Sequence, residues 1–387
     1  MLAERGNMAR DKIKVGIIGC GQVSRVGHGL AVKADKRAVV AAAADPDDEN
    51  RDSFRKKFKV PAVFSDHRKM FKEANLDAVV IASPPWLHRQ HLKDSIEAGL
   101  NILCEKPLAT TPQDVRAMVD MTKGYDKIVQ VGHSKRFEPG FGRVKEVVDS
   151  GTLGRIYQMS VYWHYYIPDF RVGWLKKAFD FLKKRGIDLE KKYGTWRYFD
   201  KRAGGGDFFD HAPHYIDLMR FIFGEIESIY CVTRRFIESR VHEDLACAVL
   251  TLPNDTVAVF EKSNLVMGRP SGFEIGYIYG ERAKLAFEAF QEYTHKKMKL
   301  KSFKPVNIIP NIYTPMRVPG GLKNTLYFRQ MRHFIDRIAG QKTVIPDYDG
   351  EWSANIEDAA LAVLWTLAGY KSAEEGREIR REELDKL

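Results

Sequence analysis

Residues 13–24 read IKVGIIGCGQVS, a largely apolar run that ends in a Gly-x-Gly turn. Such a run is typical of a strand that is buried on both faces of a parallel sheet. Gly19 permits a tight turn out of the strand, and Gly21 has no side chain to obstruct a phosphate group at the start of the next helix. Ser24 stands at the third glycine position of this pattern, where we expect it to loosen the packing of helix on strand. The stretch predicts the first strand, turn and helix of a doubly wound α/β domain.

The rest of the first third of the chain repeats this alternation. Further apolar runs are predicted to be strands at 39–44, 78–82, 101–104 and 127–131. Amphipathic stretches are predicted to be helices at 23–33, at 51–74 (a helix, a turn and a second helix), at 87–98 and at 112–123. Apolar strands that alternate with amphipathic helices indicate a parallel sheet covered on both faces. We therefore predict a Rossmann domain over residues 10–134.

Asp45 ends the second predicted strand and is placed to accept hydrogen bonds from the ribose hydroxyls of a dinucleotide. Its carboxylate would repel a 2′-phosphate, so NAD is favoured over NADP as the cofactor. The alternative interpretation of Asp45-Pro46-Asp47 is a turn and a helix cap, and both can hold at once. The cofactor contacts predicted from this part of the sheet are Gly19, Gly21, Gln22, Val23 and Asp45.

Two more strand ends should meet at the same edge of the sheet. The segment SPPWLH, residues 83–88, follows one strand, and Glu105-Lys106-Pro107 follows the next. Ligands of open parallel sheets bind outside the carboxyl ends of the strands, so both segments should border the nicotinamide half of the cofactor. A cis bond before Pro107 is one way to aim Lys106 into the cleft; the alternative is that Glu105 and Lys106 form an exposed ion pair. The cofactor contacts predicted here are Ser83, Pro84, His88, Glu105 and Lys106.

A second group of ionisable residues follows the glycine run Gly204–Gly206. If this segment is a helix, Asp207, Asp210, His214 and Asp217 share one face while apolar residues cover the others. Ionisable groups on a buried helix are costly unless they meet a ligand, water or partner charges, and this cost predicts a site. Asp207 is expected to cap the helix, and Asp217 to hold a structural ion pair or hydrogen bond.

His211 introduces an alternative on the same helix. With its neighbours it forms a D-x-x-D-H-x-x-H cluster that could instead ligate a divalent metal. The main prediction assigns no metal to the protein and gives His211 to the substrate.

These segments together resemble the glucose-fructose oxidoreductase, inositol dehydrogenase and rhizopine catabolism family, written Gfo/Idh/MocA. The resemblance covers nearly the whole chain; its motifs are GCGQVS, DPD, LDAVVIASPPWLH, AGLNILCEKPLA, RFEPGF at 136–141, GTLGRI at 151–156, and Trp196-Arg197 followed by AGGGDFFDHAPHYID. Members are mostly NAD(P)-dependent dehydrogenases of sugars, cyclitols and their derivatives, and the open face of their sheet commonly binds a second subunit. The resemblance implies an NAD-dependent oxidoreductase for a secondary hydroxyl, and a homo-oligomer, either a dimer or a tetramer.

The resemblance also implies three catalytic residues, because it sets Lys106 beside a D-x-x-x-H pair, Asp210 and His214. With a reference pKa near 6.5, His214 suits the general base at neutral pH. Asp210 would orient it or hold a neighbouring hydroxyl, and Lys106 would stabilise the developing alkoxide. His28 stands one place later than the histidine usually found after the glycine turn, so no cofactor contact is transferred to it.

The second domain is predicted over residues 135–387. Its apolar, often alternating runs indicate an α+β domain with a large, mostly antiparallel open sheet; they are 156–166, 226–236, 245–252, 257–263, 273–279 and 284–287. Helices at 322–339 and 355–373 should pack against the sheet edge or the first domain. An added basic segment, 168–192, is predicted to be a lid or an oligomer arm.

Aromatic residues near the end of the run 156–166 suggest a surface for a sugar. Aromatic faces stack on sugar rings, and neighbouring basic residues could receive a carboxylate, sulfate or phosphate. The alternative is that the alternating aromatic residues form the core under the sheet. The predicted substrate residues are Tyr162, His164, Trp196, Arg197 and His211.

Composition narrows the class of protein. The formal net charge is +11, but Lys and Arg are spread over both halves without a nucleic-acid-binding module, so the charge suits an anionic cofactor or substrate and no nucleic acid is expected. No apolar run approaches the ~20 residues that span a membrane, and the N-terminus lacks the features of a secretory signal. The four cysteines have no C-x-x-C spacing, which predicts reduced thiols and a cytoplasmic protein.

Two other functions stay open on the sequence. One is implied by the resemblance, because the family contains redox-neutral NAD-dependent glycosidases or lyases. In these, transient oxidation at C3 of a glycoside acidifies the C2–H bond and allows elimination, and the hydride is then returned. The other is a regulator that senses NAD without catalysis, since a fold alone does not define a function. An intact set of Lys106, Asp210 and His214 argues against the regulator.

Overall fold

A computed structural model describes residues 12–167, 173–185, 196–265, 273–290, 297–302, 314–315, 326–342 and 353–387. The described residues form two sheets with helices packed on them. Of the segment predicted to be a lid or an oligomer arm, 168–192, the structure describes residues 173–185, which contain one helix.

The first sheet has six strands, all parallel: β1 (Ile13–Ile18), β2 (Ala38–Ala44), β3 (Ala62–Phe64), β4 (Ala78–Ile81), β5 (Asn101–Cys104) and β6 (Val129–Val131). They lie in the order β3-β2-β1-β4-β5-β6, which confirms the doubly wound class. The prediction of a helix, a turn and a second helix at 51–74 is wrong in one respect. Strand β3 lies between the two helices and pairs with the end of β2. Its three residues are too few to show a period in the sequence.

Helices pack on both faces of this sheet. They are α1 (Gly29–Ala34), α2 (Asp48–Phe58), α3 (His67–Glu73), α4 (His88–Glu97) and α5 (Pro112–Thr122). Successive residues of β1 point to opposite faces, so Ile17 and Ile18 belong to different hydrophobic cores. This two-sided burial is the physical reason that the strands of the first third are apolar throughout.

The second sheet has nine strands among the described residues: β7 (Ile156–His164), β8 (Ser228–Arg234), β9 (Leu245–Leu252), β10 (Thr256–Ser263), β11 (Phe273–Gly280), β12 (Ala283–Phe290), β13 (Lys297–Ser302), β14 (Thr314–Pro315) and β15 (Ile379–Arg380). They lie in the order β14-β13-β12-β11-β7-β10-β9-β8-β15. Only β7 and β10 pair in parallel; the other neighbours are antiparallel, as predicted. Strands β13 to β15 were not predicted, because β13 is rich in lysine and the other two have two residues each.

The helices of this second part are α6 (Pro139–Asp149), α7 (Gly173–Lys184), α8 (Trp196–Phe199), α9 (Asp207–Phe223), α10 (Leu326–Ile338) and α11 (Ile356–Glu375). Helices α9 and α11 pack together over one face of the second sheet and bury Phe208, Tyr215 and Trp365. Helix α10 packs against α1, and α11 reaches α5, so both late helices contact the first domain as predicted. Over the described ranges, no helix has the length and apolar character to cross a membrane.

Candidate active site

The glycine turn after β1 leaves room for a phosphate group. Gly19 has a φ of +89°, and a Cβ there would lie 2.6 Å from the carbonyl oxygen of Ala82. A Cβ on Gly21 would meet no atom within 4 Å, so the start of the following helix is open, as a bound pyrophosphate requires. The expectation that Ser24 loosens the packing is wrong: its buried hydroxyl donates a hydrogen bond to the Gly19 carbonyl at 2.5 Å and ties helix to turn.

His28 reaches the second strand end through an irregular helix. Residues Ser24–His28 form a π-helical turn, a conformation that accommodates one extra residue within a helix. His28, which stands one place late in the sequence, is the last residue of this turn. Its Nε2 lies 2.7 Å from Oε1 of Glu105, in the segment that carries Lys106. Sequence reasoning missed this contact, and the one-residue offset was the signal that could have found it.

Asp45 ties the glycine turn to the end of β2. Its carboxylate accepts hydrogen bonds from the backbone N–H of Cys20 at 2.7 Å and of Asp47 at 2.9 Å. The cap of α2 is Asp47, which accepts from the N–H of Asn50 at 2.8 Å. A carboxylate offers about four acceptor sites, so Asp45 keeps acceptor capacity for ribose hydroxyls while it holds the turn.

Two predicted cofactor contacts are enclosed in protein. The ring of His88 is fully buried, with Nε2 2.8 Å from the Ser83 carbonyl oxygen and Nδ1 3.0 Å from that of Pro107. The carboxylate of Glu105 is buried against His28. We therefore correct the prediction for His88, whose fully buried ring links the loops beneath the sheet edge. The side chain of Glu105 is 9% exposed, so its cofactor contact stays a prediction. Ser83 remains partly exposed, and its hydroxyl bonds to a ring nitrogen of His91; the partly or fully exposed positions that stay predictions are Gln22, Val23 and Pro84.

Lys106 joins the first domain to helix α9. Its Nζ donates to the carbonyl oxygen of Asp210 at 2.8 Å and to its carboxylate at 3.0 Å, and the bond between Lys106 and Pro107 is cis. The alternative of an exposed pair with Glu105 is therefore wrong. Arg197 lies 3.3 Å from the other carboxylate oxygen of Asp210. Burial opposes the charge of Asp210, but Lys106 and Arg197 hold its pKa well below the usual value.

The start of α9 differs from the prediction. Gly206 stands at the cap position and Asp207 is the first helical residue, so the expected capping role of Asp207 is wrong. Its carboxylate instead accepts hydrogen bonds from the hydroxyls of Tyr165 at 2.8 Å and Tyr198 at 3.0 Å. At this helix end, Glu243 accepts hydrogen bonds from the N–H groups of Gly206 and Phe208, and the N–H of Phe209 donates to the Tyr370 hydroxyl.

Two histidines line the buried side of Asp210. Burial lowers the pKa of His214 well below its usual value, and Lys106 lowers it further. Nδ1 of His211 lies 2.9 Å from the carbonyl oxygen of Asp207, and burial lowers the pKa of His211 to about 3. Both rings are therefore neutral at neutral pH, and Nδ1 of His211 donates to the carbonyl. In the part of the chain that the structure describes, no three His, Cys, Asp or Glu side chains are grouped as metal ligands.

The substrate role predicted for Tyr162 and His164 is wrong. Side chains alternate along a strand, and in β7 it is Trp163 and Tyr165 that face α9, with ring centroids 4.2 Å and 5.6 Å from that of His211. Tyr162 and His164 point to the other face of the sheet, where His164 lies 2.9 Å from Glu261. The aromatic run was recognised in the sequence, but its register was not.

Two tryptophans stand where the two domains meet. Trp196 of α8 packs edge-on against Trp86, with ring centroids 5.0 Å apart. The guanidinium of Arg202 lies 4.8 Å from the Trp86 ring, and that of Arg197 lies 4.5 Å from the Trp196 ring. Trp86 was part of a quoted motif, but no role was predicted for it. Together these side chains form an aromatic and cationic wall near Asp210.

Asp217 holds the structural ion pair that was predicted. It is fully buried and binds Arg136 through both carboxylate oxygens, at 2.7 Å and 2.6 Å. Arg136 belongs to the RFEPGF motif that follows the first domain, so this pair fastens α9 to the domain junction.

Fold and site define an oxidoreductase with a Rossmann domain that binds NAD and a second domain that completes the cleft. Two domain profiles of one family match the chain: GFO_IDH_MocA, described as "Oxidoreductase family, NAD-binding Rossmann fold", at residues 13–133, and its C-terminal domain at residues 141–286. Together they cover more than half of the chain. The protein belongs to the Gfo/Idh/MocA family, whose members similar to this chain include sugar and cyclitol dehydrogenases.

The relatives show how far this likeness extends. Myo-inositol 2-dehydrogenase of Thermotoga maritima is 24% identical over 380 residues, which are 96% of this chain and 99% of the relative. Levoglucosan dehydrogenase of Pseudarthrobacter phenanthrenivorans is 28% identical over 236 residues, 59% of this chain and 55% of the relative. The solved structure of a levoglucosan dehydrogenase with NADH matches with a TM-score of 0.76 at 21% identity, and covers 96% of this chain and 99% of that chain. At this identity the structural match shows a shared fold.

Proposed function

We propose that the protein is an NAD-dependent dehydrogenase that oxidises a secondary hydroxyl of a sugar, sugar acid or cyclitol. The observation that carries this proposal is the contact of Lys106 with Asp210 at the edge of the Rossmann sheet, with His214 one turn further along the same helix. Lys106 and Asp210 keep 14% and 20% of their side-chain surface exposed, so both can meet a small molecule in the cleft.

The roles follow from charge and protonation. NAD, when bound, supplies the hydride acceptor, and we propose that Gly19, Gly21 and Asp45 hold it. His214 is neutral, so it can accept the proton of the substrate hydroxyl. Lys106, held by Asp210, donates a hydrogen bond to the reacting oxygen and stabilises the negative charge that develops there.

We assign the walls of the cleft to the substrate. Because Nδ1 of His211 donates to a backbone carbonyl, its Nε2 is left to accept a hydrogen bond from a substrate hydroxyl. Trp196 offers aromatic surface to a sugar ring, and Arg197 offers hydrogen-bond donors to its oxygens.

The test is a panel of compounds with secondary hydroxyls, including myo-inositol, levoglucosan, a methyl glucoside and several sugar acids, each incubated with the protein and NAD. We expect steady accumulation of NADH, followed by its absorbance, with at least one member. Lys106→Met should lower kcat by about 100-fold or more while NADH still binds, as measured by fluorescence. The matched control is Lys93→Met, at an exposed lysine on α4 that pairs with Glu97.

The other outcomes separate the remaining functions. Release of an aglycone without net NADH would identify the redox-neutral glycosidase or lyase. Binding of NADH without turnover of any compound would point to a regulator. Near-normal turnover by Lys106→Met would overturn the role given to this lysine.

A further inference from the structure

His133 lies behind His214, at the end of β6. It is 1% exposed, and its ring stands edge-on to that of His214 with centroids 6.2 Å apart. Among the described residues, neither ring nitrogen of His133 has a hydrogen-bond partner, and the same holds for Nδ1 of His214. Buried polar groups are nearly always hydrogen-bonded, and leaving them unpaired is destabilising. Two such imidazoles that face each other call for a role beyond packing.

The charges around the two rings differ. His214 faces Lys106 and Lys135, which both disfavour a proton on it. Nδ1 of His133 lies 3.6 Å from a carboxylate oxygen of Asp217, although Arg136 and Lys106 also act on His133. Arg136 holds the pKa of Asp217 low against the effect of burial, so this carboxylate is ionised. Burial lowers the pKa of both rings, but carboxylates oppose this effect only at His133. A transient positive charge is therefore opposed less on His133 than on His214.

The charged residues around His133 extend to a less buried carboxylate. Asp358 lies 3.2 Å from Arg136, and its side chain is 27% exposed. Asp358 also favours the charged form of His133. The separation of the two rings is too long for a direct hydrogen bond and suits one bridging water.

We propose that His133 is a positioning residue that acts through His214 and takes up the proton released from the substrate hydroxyl; this inference rests on the proposed function. When the O–H bond breaks, its proton goes to His214, while the hydride leaves the carbon for the cofactor. His214 gives a proton from Nδ1 to His133 through a bridging water and becomes neutral again. His133 then carries the charge beside Asp217, and the proton returns to solvent by the same route once product leaves the cleft.

The first test needs no substrate. Ring ¹⁵N NMR of the histidines, assigned with His133→Phe and His214→Phe, reports which nitrogen of each neutral ring carries the proton. In the wild type we expect the Nδ1-protonated form of His214, because Nδ1 is its enclosed nitrogen and His133 is the acceptor nearby. His133→Phe should shift His214 toward the Nε2-protonated form. Identical His214 signals in the two proteins would overturn the proposal.

The second test uses whichever compound of the panel is oxidised. His133→Phe should lower kcat by roughly 10-fold and change the pH dependence of kcat, with NADH binding and KM little changed. Imidazole added to His133→Ala should restore part of the loss. The matched control is His333→Phe, at a buried histidine that contacts Gln130 and Phe137 and should leave the pH profile unchanged.

The outcomes distinguish this inference from the proposed function. An unchanged kcat and pH profile in His133→Phe would overturn the inference and leave the dehydrogenase standing. A loss of kcat at every pH without rescue by imidazole would reduce His133 to a packing residue. If no compound of the panel is oxidised, the tautomer of His214 still decides the inference.

Discussion

Two glycines of the first turn are required for different reasons. Gly19 combines a positive φ with a close approach to the Ala82 carbonyl, so its constraint lies within the protein. Gly21 has open space where its Cβ would be, so no protein atom requires a glycine at this position. The requirement comes from the phosphate group that we propose binds there. The sequence pattern predicts these two roles, and the atoms around each glycine agree with them.

This difference predicts opposite effects of two alanine substitutions. Gly19→Ala should lower the free energy of unfolding by about 1–3 kcal/mol because of backbone strain and the contact with Ala82. Gly21→Ala should leave stability unchanged and weaken NADH binding by roughly 10-fold, about 1.4 kcal/mol. Urea unfolding without cofactor and NADH fluorescence titration measure the two effects.

The control is Gly99→Ala, at a glycine that also has a positive φ but has no neighbouring atoms near its Cβ position. It should cost stability through strain alone and leave NADH binding unchanged. Tight NADH binding by Gly21→Ala would contradict the assignment of this turn to the pyrophosphate.

At the scale of elements, helix α9 carries the site, and the buried carboxyl group of Glu243 binds its first turn. Glu243 accepts hydrogen bonds from the N–H groups of Gly206 and Phe208 and from the hydroxyl of Tyr370. Burial raises the pKa of Glu243 to about 7 against the opposing effect of these donors. The first turn of the helix that holds Asp210 therefore depends on a group that titrates near neutral pH.

The sign of the resulting pH dependence follows from the raised pKa. The folded state binds the proton of Glu243 more tightly than the unfolded state, whose value is near 4.5. The stabilisation is present below that value and is lost as pH rises through about 7. We compare the unfolding free energy of the wild type with that of Glu243→Gln. As pH rises from 5 to 8, the difference between them should change by on the order of 2 kcal/mol, to the disadvantage of the wild type.

Urea unfolding of both proteins at the two pH values measures this change. Glu97→Gln, at an exposed glutamate of α4, is the control and should show no such difference. A relative stability that stays constant or rises with pH would mean that the donors at the helix end keep Glu243 ionised in the folded protein.

At the scale of the whole molecule, the second sheet has one face covered by α9 and α11 and one open face. Apolar side chains lie on the open face, and Tyr230, Val249 and Val257 are each about two-fifths exposed. Tyr162 belongs to the same face, by register with the strands beside it. Neighbouring apolar side chains on one face of a sheet suit contact with another protein surface.

We expect a second copy of the chain to cover this open face. Light scattering coupled to size-exclusion chromatography should give the mass of a dimer or tetramer for the wild type and the mass of one chain for Val249→Lys. The control is Val39→Lys, at a similarly exposed valine of β2 in the other sheet, which should keep the wild-type mass. A single-chain mass for the wild type would contradict this expectation.

The sequence by itself determined the class of the fold and the parts of the site that depend on local order along the chain. Apolar strands, the glycine turn and the alternation with helices follow from burial and backbone geometry over a few residues, so the first sheet could be predicted nearly strand by strand. The spacing of Asp210, His214 and Asp217 along one helix is likewise local. The sequence therefore sufficed to predict that they share one face of it.

Only the tertiary structure decided which atoms meet. The direction of Tyr162 away from the cleft depends on the register of β7 against its neighbours, and a shift of one residue reverses every side chain of a strand. The contact of His28 with Glu105 depends on a π-helical turn that hydrophobic periodicity does not reveal. The cap of α9 by Glu243 and the pairing of the rings of His133 and His214 join residues far apart in the chain, because packing, and not local propensity, brings them together.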